Sequence, residues 1–150
     1  MSKIIIIEDD KITQTIIEKA LSNLGHQVIV CSNGEEGLQM IFAEEPNIVI
    51  TDFQMPGLNG LEVIERVKKQ LPNTPIVLMT AYDEMQLTIK AMQAGAFDYI
   101  EKPINLKKLK NIIDTASAEV GVIKLDINPQ ETKISSVSGI SLVGKSEGIR

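Results

Sequence analysis

The sequence has few of the residues from which disulfide frameworks, zinc centres and membrane spans are built. Its 150 residues include one cysteine, one histidine and no tryptophan. The lone Cys31 excludes an internal disulfide, and His26 without a cysteine cluster argues against a zinc site. Apolar runs such as residues 4–7 are far too short to cross a bilayer, and no apolar leader follows Met1. These absences predict a soluble cytoplasmic protein.

An excess of positive charge is also lacking. The chain carries 15 Lys and Arg residues against 20 Asp and Glu residues, which gives a net charge of −5 at pH 7. Surfaces that bind nucleic acid or anionic membranes need clustered cations. We therefore expect this segment to bind neither nucleic acid nor a membrane directly.

Five apolar segments alternate with five helical patterns. The apolar segments favour strands at residues 4–7, 28–31, 48–52, 76–79 and 97–100. Apolar residues recur at helical spacing between them, and the first such pattern consists of Ile12, Ile16, Ile17, Ala20, Leu21 and Leu24. Strict alternation implies one α/β core domain with a five-stranded, doubly wound parallel sheet.

Local signals mark where several helices begin and end. Ser32 followed by Glu35 predicts a capping box for the second helix, and Asn105 predicts the cap of the fifth helix. The fourth helix is predicted at residues 83–94, with Gly95 as its stop.

Polar side chains stand at the ends of four of the predicted strands. Glu8 and Asp9 follow the first strand, Asp52 ends the third, Thr80 follows the fourth and Lys102 the fifth. The carboxyl ends of parallel strands meet at one edge of a sheet, so we expect these side chains to converge. Crowded carboxylates recruit a cation, and Mg²⁺ prefers such oxygen ligands. Asp52 could then attack a phosphoryl group, with Lys102 stabilising the developing charge and Thr80 donating a hydrogen bond to the bound group.

Each of these residues also has a plain structural explanation. Asp52 can bond to the turn that follows it, Glu8 and Asp9 can favour the dipole of the first helix, and Lys102 can be a solvated surface charge. Taken together, these explanations require four strand ends to carry suitable polar residues by chance. The joint pattern therefore favours a site.

The segments IIIIEDD, ITDFQMPGLNG, VLMTAY and GAFDYIEKP together resemble the receiver domain of bacterial two-component response regulators, over residues 3–119. This resemblance implies a flavodoxin-like (βα)5 fold. It also implies that Asp52 accepts a phosphoryl group from the phosphohistidine of a sensor histidine kinase. The implied Mg²⁺ ligands are Asp9, Asp52 and the main-chain carbonyl of Gln54, with Glu8 acting through a metal-bound water.

The resemblance further implies a conformational switch. Thr80 and Tyr99 would form the switch pair, the hydroxyl moving toward the phosphate while the ring turns inward. A cis bond between Lys102 and Pro103 is implied as well, which an X-Pro bond permits.

The family also has a common interaction surface, formed by the fourth helix, fifth strand and fifth helix. There this chain would meet its own output domain or a second copy of itself. Four residues of the fourth helix are candidates for that surface: Met85, Gln86, Ile89 and Lys90. A core-facing position for Met85 and Ile89 is the alternative.

The pattern breaks after Glu119, and residues 120–150 are predicted to be a linker leading into an output domain. GISLVGKS at residues 139–146 matches the P-loop pattern formally, but a serine-rich stretch precedes it where a buried strand is required. SLVGKSEGIR instead resembles the segment ahead of the AAA+ ATPase domain in sigma-54-dependent activators of the nitrogen-regulator type. We therefore expect the regulatory part of a transcriptional activator.

Two other classes stay open. A phosphatase or mutase with an aspartyl-phosphate intermediate would need a second acid at the position of Gln54, so we expect no turnover enzyme. A degenerate interaction module would not need the complete set of Asp9, Asp52, Thr80 and Lys102. A dinucleotide-binding fold is excluded because the first β-α turn contains no glycine.

Overall fold

The computed structural model describes residues 2–127, with side chains up to residue 118. Within this range the chain alternates five parallel strands with five α-helices, which confirms the predicted α/β fold. The strands are β1 (Lys3–Ile7), β2 (Gln27–Cys31), β3 (Ile48–Asp52), β4 (Ile76–Thr80) and β5 (Asp98–Glu101). The helices are α1 (Lys11–Asn23), α2 (Gly34–Glu44), α3 (Gly60–Gln70), α4 (Met85–Gln93) and α5 (Leu106–Ile127), and a 3-10 turn (Tyr82–Glu84) precedes α4.

The sheet order is β2-β1-β3-β4-β5, so β3 is the central strand. Residue Ile7 at the end of β1 is in register with Thr51, and Asp52 is in register with Met79 of β4. The strand order reverses at β1, whose neighbours are β2 and β3. In sheets of this kind the crevice at such a reversal, outside the carboxyl ends of the strands, is where ligands bind.

Each face of the sheet supports its own apolar core. Side chains alternate across the strands, so one face packs against α2, α3 and α4 through Ile5, Ile7, Val49, Ile76 and Leu78. The other face packs against α1 and α5 through Ile4, Ile6, Ile48, Ile50, Val77 and Met79. All of these side chains are fully buried, and each contributes about 1.5–3 kcal/mol of apolar burial. This double burial explains the continuous apolar runs.

Several apolar residues of the first helical pattern are exposed in the structure. Ile12, Ile16 and Leu24 are 71%, 49% and 46% exposed, whereas Gln14 is buried beside Ile17 and Leu21. The helical spacing therefore predicted the helix but not which of its apolar residues are buried. A wide apolar face on a helix does not specify which part of that face meets the sheet.

The second helix begins one residue later than the predicted capping box. Asn33 is the cap, and its side chain accepts a hydrogen bond of 2.8 Å from the Glu36 amide. Glu36 in turn accepts from the amide of Ser32 at 2.9 Å. The prediction of Ser32 and Glu35 was wrong because α2 begins at Gly34, which places Asn33 rather than Ser32 next to the first helical turn.

The last helix is longer than the sequence pattern predicted. Its backbone remains helical to Ile127, past Glu119, where we expected the linker to begin. The compact unit that contains the sheet is Met1–Ser117. The remainder of the predicted linker, with GISLVGKS, lies outside the described residues, and the domain boundary remains a prediction. Among the described helices, none is both long and apolar enough to cross a membrane.

Candidate functional site

Three carboxylates meet at the carboxyl edge of the sheet. Glu8 and Asp9 follow β1, Asp52 ends β3, and one oxygen from each lies within 4.8 Å of the others. Glu8 and Asp52 are buried, with exposed fractions of 1% and 4%, whereas Asp9 is exposed. The adjacency of β1 and β3 brings these acids together across more than forty residues of sequence.

Lys102 brings a positive charge into this acidic cluster. Its Nζ donates a hydrogen bond of 2.9 Å to Asp52 Oδ2 and lies 3.3 Å from Glu8 Oε1. Burial alone would lower the pKa of Lys102, but its hydrogen bond to Asp52 and the charges of Asp52 and Glu8 outweigh burial and raise that pKa. The ammonium is therefore charged throughout the neutral range.

The loop that carries Lys102 is tied to its neighbour. The amide of Lys102 donates to the carbonyl of Thr80 at 2.9 Å, so the end of β5 is fixed against β4. The Lys102–Pro103 peptide bond is cis, as the family resemblance implied.

Glu8 occupies an unusual position for an acid. Its Oε2 accepts a hydrogen bond of 3.0 Å from the Asp10 amide, but Oε1 is buried without a hydrogen bond despite the nearby ammonium of Lys102. Burial and the neighbouring charge of Asp52 raise the pKa of Glu8, while the Asp10 amide and Lys102 oppose that rise. A buried carboxylate oxygen with free lone pairs, next to two further carboxylates, fits the oxygen donor set of a hard divalent cation.

Two residues that sequence reasoning did not single out shape this loop. The side-chain amide of Gln14 donates to the carbonyl of Glu8 and lies 3.4 Å from the hydroxyl of Ser32. Asp10 caps α1 by accepting from the amide and the hydroxyl of Thr13 at 2.9 and 2.6 Å. The side chain of Asp10 therefore caps the helix, while its main-chain amide donates to Glu8. The hydrogen bonds from Thr13 keep the pKa of Asp10 below its ordinary value. A polar residue one turn into an apolar helix was the available signal for Gln14.

The loop after Asp52 approaches the strand closely. The Gly60 amide donates to the carbonyl of Phe53 at 2.8 Å, and a Cβ at Gly60 would lie 2.9 Å from the Asp52 carbonyl oxygen. Asn59 and Glu62 form a reciprocal capping box that fixes the start of α3. Gln54 lies on this loop, two residues after Asp52, with its side chain exposed.

The hydroxyl of Thr80 has its hydrogen-bond acceptors on the side of α4. Thr80 is fully buried, and its Oγ1 lies 2.8 Å from Thr88 Oγ1, 3.3 Å from the Ala81 carbonyl and 3.4 Å from Glu84 Oε1. Tyr99 is partly buried and packs against the core on the same face of the sheet. The structure thus groups Glu8, Asp9, Asp52 and Lys102, while the Thr80 hydroxyl is bonded elsewhere.

The fold and this acidic strand edge agree with one known family. Residues 4–114 match the response regulator receiver domain family, which is most of the chain. The protein belongs to this family, whose members are signalling modules of two-component systems.

Individual proteins refine this assignment. The chain is 33% identical to the DNA-binding transcriptional regulator NtrC of Rhizobium meliloti (strain 1021), over 98% of this chain and 29% of that protein. It is 35% identical to a cyclic di-GMP phosphodiesterase of Thermotoga maritima, over 71% of this chain and 28% of that protein. Its fold is similar to that of a response regulator receiver domain protein from Clostridium thermocellum, with a TM-score of 0.79 at 29% identity, covering 82% of this chain and 99% of that one. The chain spans less than a third of the length of either curated relative. Its receiver is of the NtrC type.

Proposed function

We propose that Asp52 is the phosphoacceptor of this receiver and that its donor is the phosphohistidine of a sensor histidine kinase. The observation that carries the proposal is the placement of a buried Asp52 carboxylate against Lys102 and beside Glu8 and Asp9. An acid held at the end of the central strand, next to a fixed cation, is poised for nucleophilic attack.

The proposed reaction assigns a separate task to each residue. An Asp52 carboxylate oxygen forms a bond to phosphorus while the bond from phosphorus to the imidazole nitrogen breaks, and the imidazole keeps the electron pair. Lys102 leaves Asp52 Oδ2 far enough to donate to a phosphoryl oxygen, where its positive charge stabilises the transition state. Gln14 and Asp10 hold the first loop so that Glu8 and Asp9 keep their positions.

The cluster fits Mg²⁺, as the unbonded Glu8 Oε1 and the three converging carboxylates suggest. Asp9, Asp52 and the main-chain carbonyl of Gln54 would hold it, and Glu8 would act through a metal-bound water. When bound, Mg²⁺ offsets the negative charge of the carboxylates and polarises the phosphoryl oxygens.

An apolar surface next to the site supports a protein donor. Exposed Ile16 of α1 borders a cleft beside Lys102, and the cleft is lined by Thr13, Ile16, Ile17, Lys102, Pro103 and Ile104. A kinase domain that docks on this cleft would bring its histidine to the edge of the sheet. Contiguous apolar surface of this kind is typical of interaction sites.

Phosphorylation would then act through a two-state switch of Thr80 and Tyr99. Inverting a 1:99 equilibrium requires a preference of about 5.5 kcal/mol. The face that carries α4 would transmit the change. On this face Tyr82 is 83% exposed and Ile89 is 55% exposed. The alternative that Ile89 faces the core was therefore wrong. Through α4, β5 and α5 the receiver would meet its output domain or a second copy.

The output is proposed to be transcriptional. The match to NtrC extends over nearly the whole chain, including residues beyond the receiver family match. On this proposal residues 1–119 are the receiver, residues 120–150 lead into the output domain, and the protein acts in the cytoplasm. Receivers also precede other outputs, as the Thermotoga phosphodiesterase illustrates.

The test is the intact mass of the protein after incubation with acetyl phosphate, with and without Mg²⁺. The native chain should gain one acid-stable, base-labile phosphoryl group only with Mg²⁺, and Asp52→Asn should gain none. Lys107→Met, which removes an exposed lysine of α5, should be phosphorylated like the native chain. No gain under any condition would contradict the proposal and favour an interaction module whose site is not phosphorylated.

A further inference from the structure

A buried threonine on α4 accounts for the direction of the Thr80 hydroxyl. Thr88 is 1% exposed, and its Oγ1 lies 2.8 Å from Thr80 Oγ1 and 3.0 Å from the carbonyl oxygen of Glu84. A carbonyl oxygen only accepts hydrogen bonds, so the hydrogen of Thr88 is directed to Glu84. The oxygen of Thr88 then accepts the hydrogen of Thr80. This direction uses the two shortest contacts, of 2.8 and 3.0 Å, whereas the opposite direction would leave Thr80 to donate to Ala81 or Glu84 at 3.3 or 3.4 Å.

The surroundings of this pair support the same arrangement. Glu84 is buried, and its carboxylate accepts a hydrogen bond of 2.8 Å from the Ala81 amide, which anchors the turn before α4. Its Oε1 is 3.4 Å from the Thr80 hydroxyl, a longer distance than the one to Thr88. Thr80, Glu84 and Thr88 therefore form one buried network that joins the end of β4 to α4.

We propose that Thr88 is a positioning residue that holds Thr80 in the unphosphorylated arrangement of the switch. A hydroxyl carries a single hydrogen, so Thr80 can donate either to Thr88 or to a phosphoryl group on Asp52, but not to both. Switching must break the bond between Thr80 and Thr88. This inference rests on the proposed function and adds a residue that opposes the change to the phosphorylated arrangement.

Thr88 stabilises only one of the two states of the switch. Its bond to the Glu84 carbonyl is local to α4 and need not change when Thr80 moves, whereas its bond to Thr80 exists in only one state. Thr88→Val keeps the shape of the side chain and removes the acceptor, so it should destabilise the unphosphorylated arrangement selectively. One net hydrogen bond corresponds to roughly a two- to tenfold change in the switching equilibrium.

The experiment uses beryllofluoride, a phosphoryl analogue, with Mg²⁺. Its affinity for the full chain is measured by calorimetry, and the thermal midpoint of each variant is measured without ligand. Thr88→Val should bind beryllofluoride roughly two- to tenfold more tightly than the native chain, even though its thermal midpoint falls. Thr88→Ser, which keeps the hydroxyl, should restore native affinity.

A matched control is available on α5. The Thr115 hydroxyl also donates to the carbonyl four residues earlier, that of Asn111, at 2.9 Å, but its side chain is exposed, whereas Thr88 is buried against Thr80. Thr115→Val should leave beryllofluoride affinity unchanged. A purely structural role for Thr88 would lower the thermal midpoint without tightening the binding, so unchanged or weaker binding by Thr88→Val would overturn the inference.

A second variant covers a failure of Thr88→Val to fold. Thr88→Ala places the best helix former at this position of α4 and likewise removes the acceptor, so it should also bind beryllofluoride more tightly. If this folded variant bound beryllofluoride with native affinity, the role of Thr88 would be contradicted and the proposed function would stand. A native chain that binds no beryllofluoride with Mg²⁺ would overturn the proposed function, and the role of Thr88 with it.

Discussion

Lys102 and Asp52, fifty residues apart in sequence, form an ion pair of 2.9 Å at the ends of β5 and β3. The pair lies inside the same cluster as Glu8, whose Oε1 is 3.3 Å from the ammonium. Lys102 therefore neutralises part of the carboxylate charge, and a divalent cation entering the cluster would share these carboxylates with it.

The first prediction concerns that competition. Lys102→Met should raise the affinity for Mg²⁺ on the order of tenfold, because a positive charge within a few ångströms of the cation no longer repels it. The same variant should be phosphorylated more slowly by acetyl phosphate. Calorimetry gives the affinity, and Lys107→Met removes an equal charge at a distance as the control. An affinity for Mg²⁺ that is unchanged or lower in Lys102→Met would contradict the shared-site geometry.

The second prediction concerns the pH dependence set by Glu8. A folded-state pKa raised above the ordinary value of 4.5 makes a contribution to stability that is present below that value and is lost as the pH rises through the folded pKa. Glu8→Gln, which resembles the neutral acid, should therefore be more stable than the native chain at pH 7 without metal, by on the order of 1 kcal/mol. The difference should shrink below pH 4.5.

Urea unfolding at several pH values measures this difference. Addition of Mg²⁺ at pH 7 should then stabilise the native chain more than Glu8→Gln, because the native carboxylate assists the cation. If Glu8→Gln were less stable than the native chain at pH 7 without metal, burial would not be the dominant influence on Glu8.

The third prediction tests whether Ile16 contributes to docking of the kinase rather than to the phosphorylation reaction itself. Ile16→Ser should slow phosphotransfer from a histidine kinase roughly fivefold or more, the effect of truncating a buried interface anchor. The rate with acetyl phosphate should stay native, since this donor needs no docking surface. Ile89→Ser, at a similarly exposed apolar position on α4, should leave both rates native. Equal slowing with both donors would mean that Ile16 shapes the site itself.

The fourth prediction concerns Cys31 in alkaline solution. Burial raises the pKa of the Cys31 thiol from 9.0 to about 11. The unfolded thiol ionises first, so the native chain should lose stability relative to Cys31→Ala as the pH rises from 9.0 to about 11. The difference in unfolding free energy between the two proteins should be constant below that range. A difference that does not change with alkaline pH would show that the thiol ionises equally in both states.

The alternation of strands and helices and the acids at the strand ends could be predicted because both depend on local pattern and on one topological rule. Apolar runs identify β1 and β3, and parallel pairing places Glu8 and Asp52 at the same edge. The roles of these residues in phosphoryl transfer and metal binding remain predictions. The separate network of the Thr80 hydroxyl could not be foreseen from the sequence.

That network depends on a tertiary contact. Thr88 lies eight residues after Thr80, a spacing with no meaning in a strand followed by a helix, and only the packing of α4 brings the two hydroxyls together. Glu84 had a weak local signal, since an acid three residues after Ala81 can accept its amide hydrogen at a helix start. The exposure of Ile12 and Ile16 could not be predicted for a related reason. Helical periodicity identifies the apolar face of a helix but not the part of that face that another element covers.

On the proposed function, the donor surface and α4 lie on opposite sides of the sheet, each beside its own apolar core. Ile16 and Pro103 lie on the side of α1, whereas Thr88 and Ile89 belong to α4 on the other side. A kinase bound on the first side would leave α4 free, whereas α5 packs on the kinase's own side of the sheet. An output partner could therefore engage α4 while the donor is still bound, and only its contacts with α5 would depend on the departure of the donor.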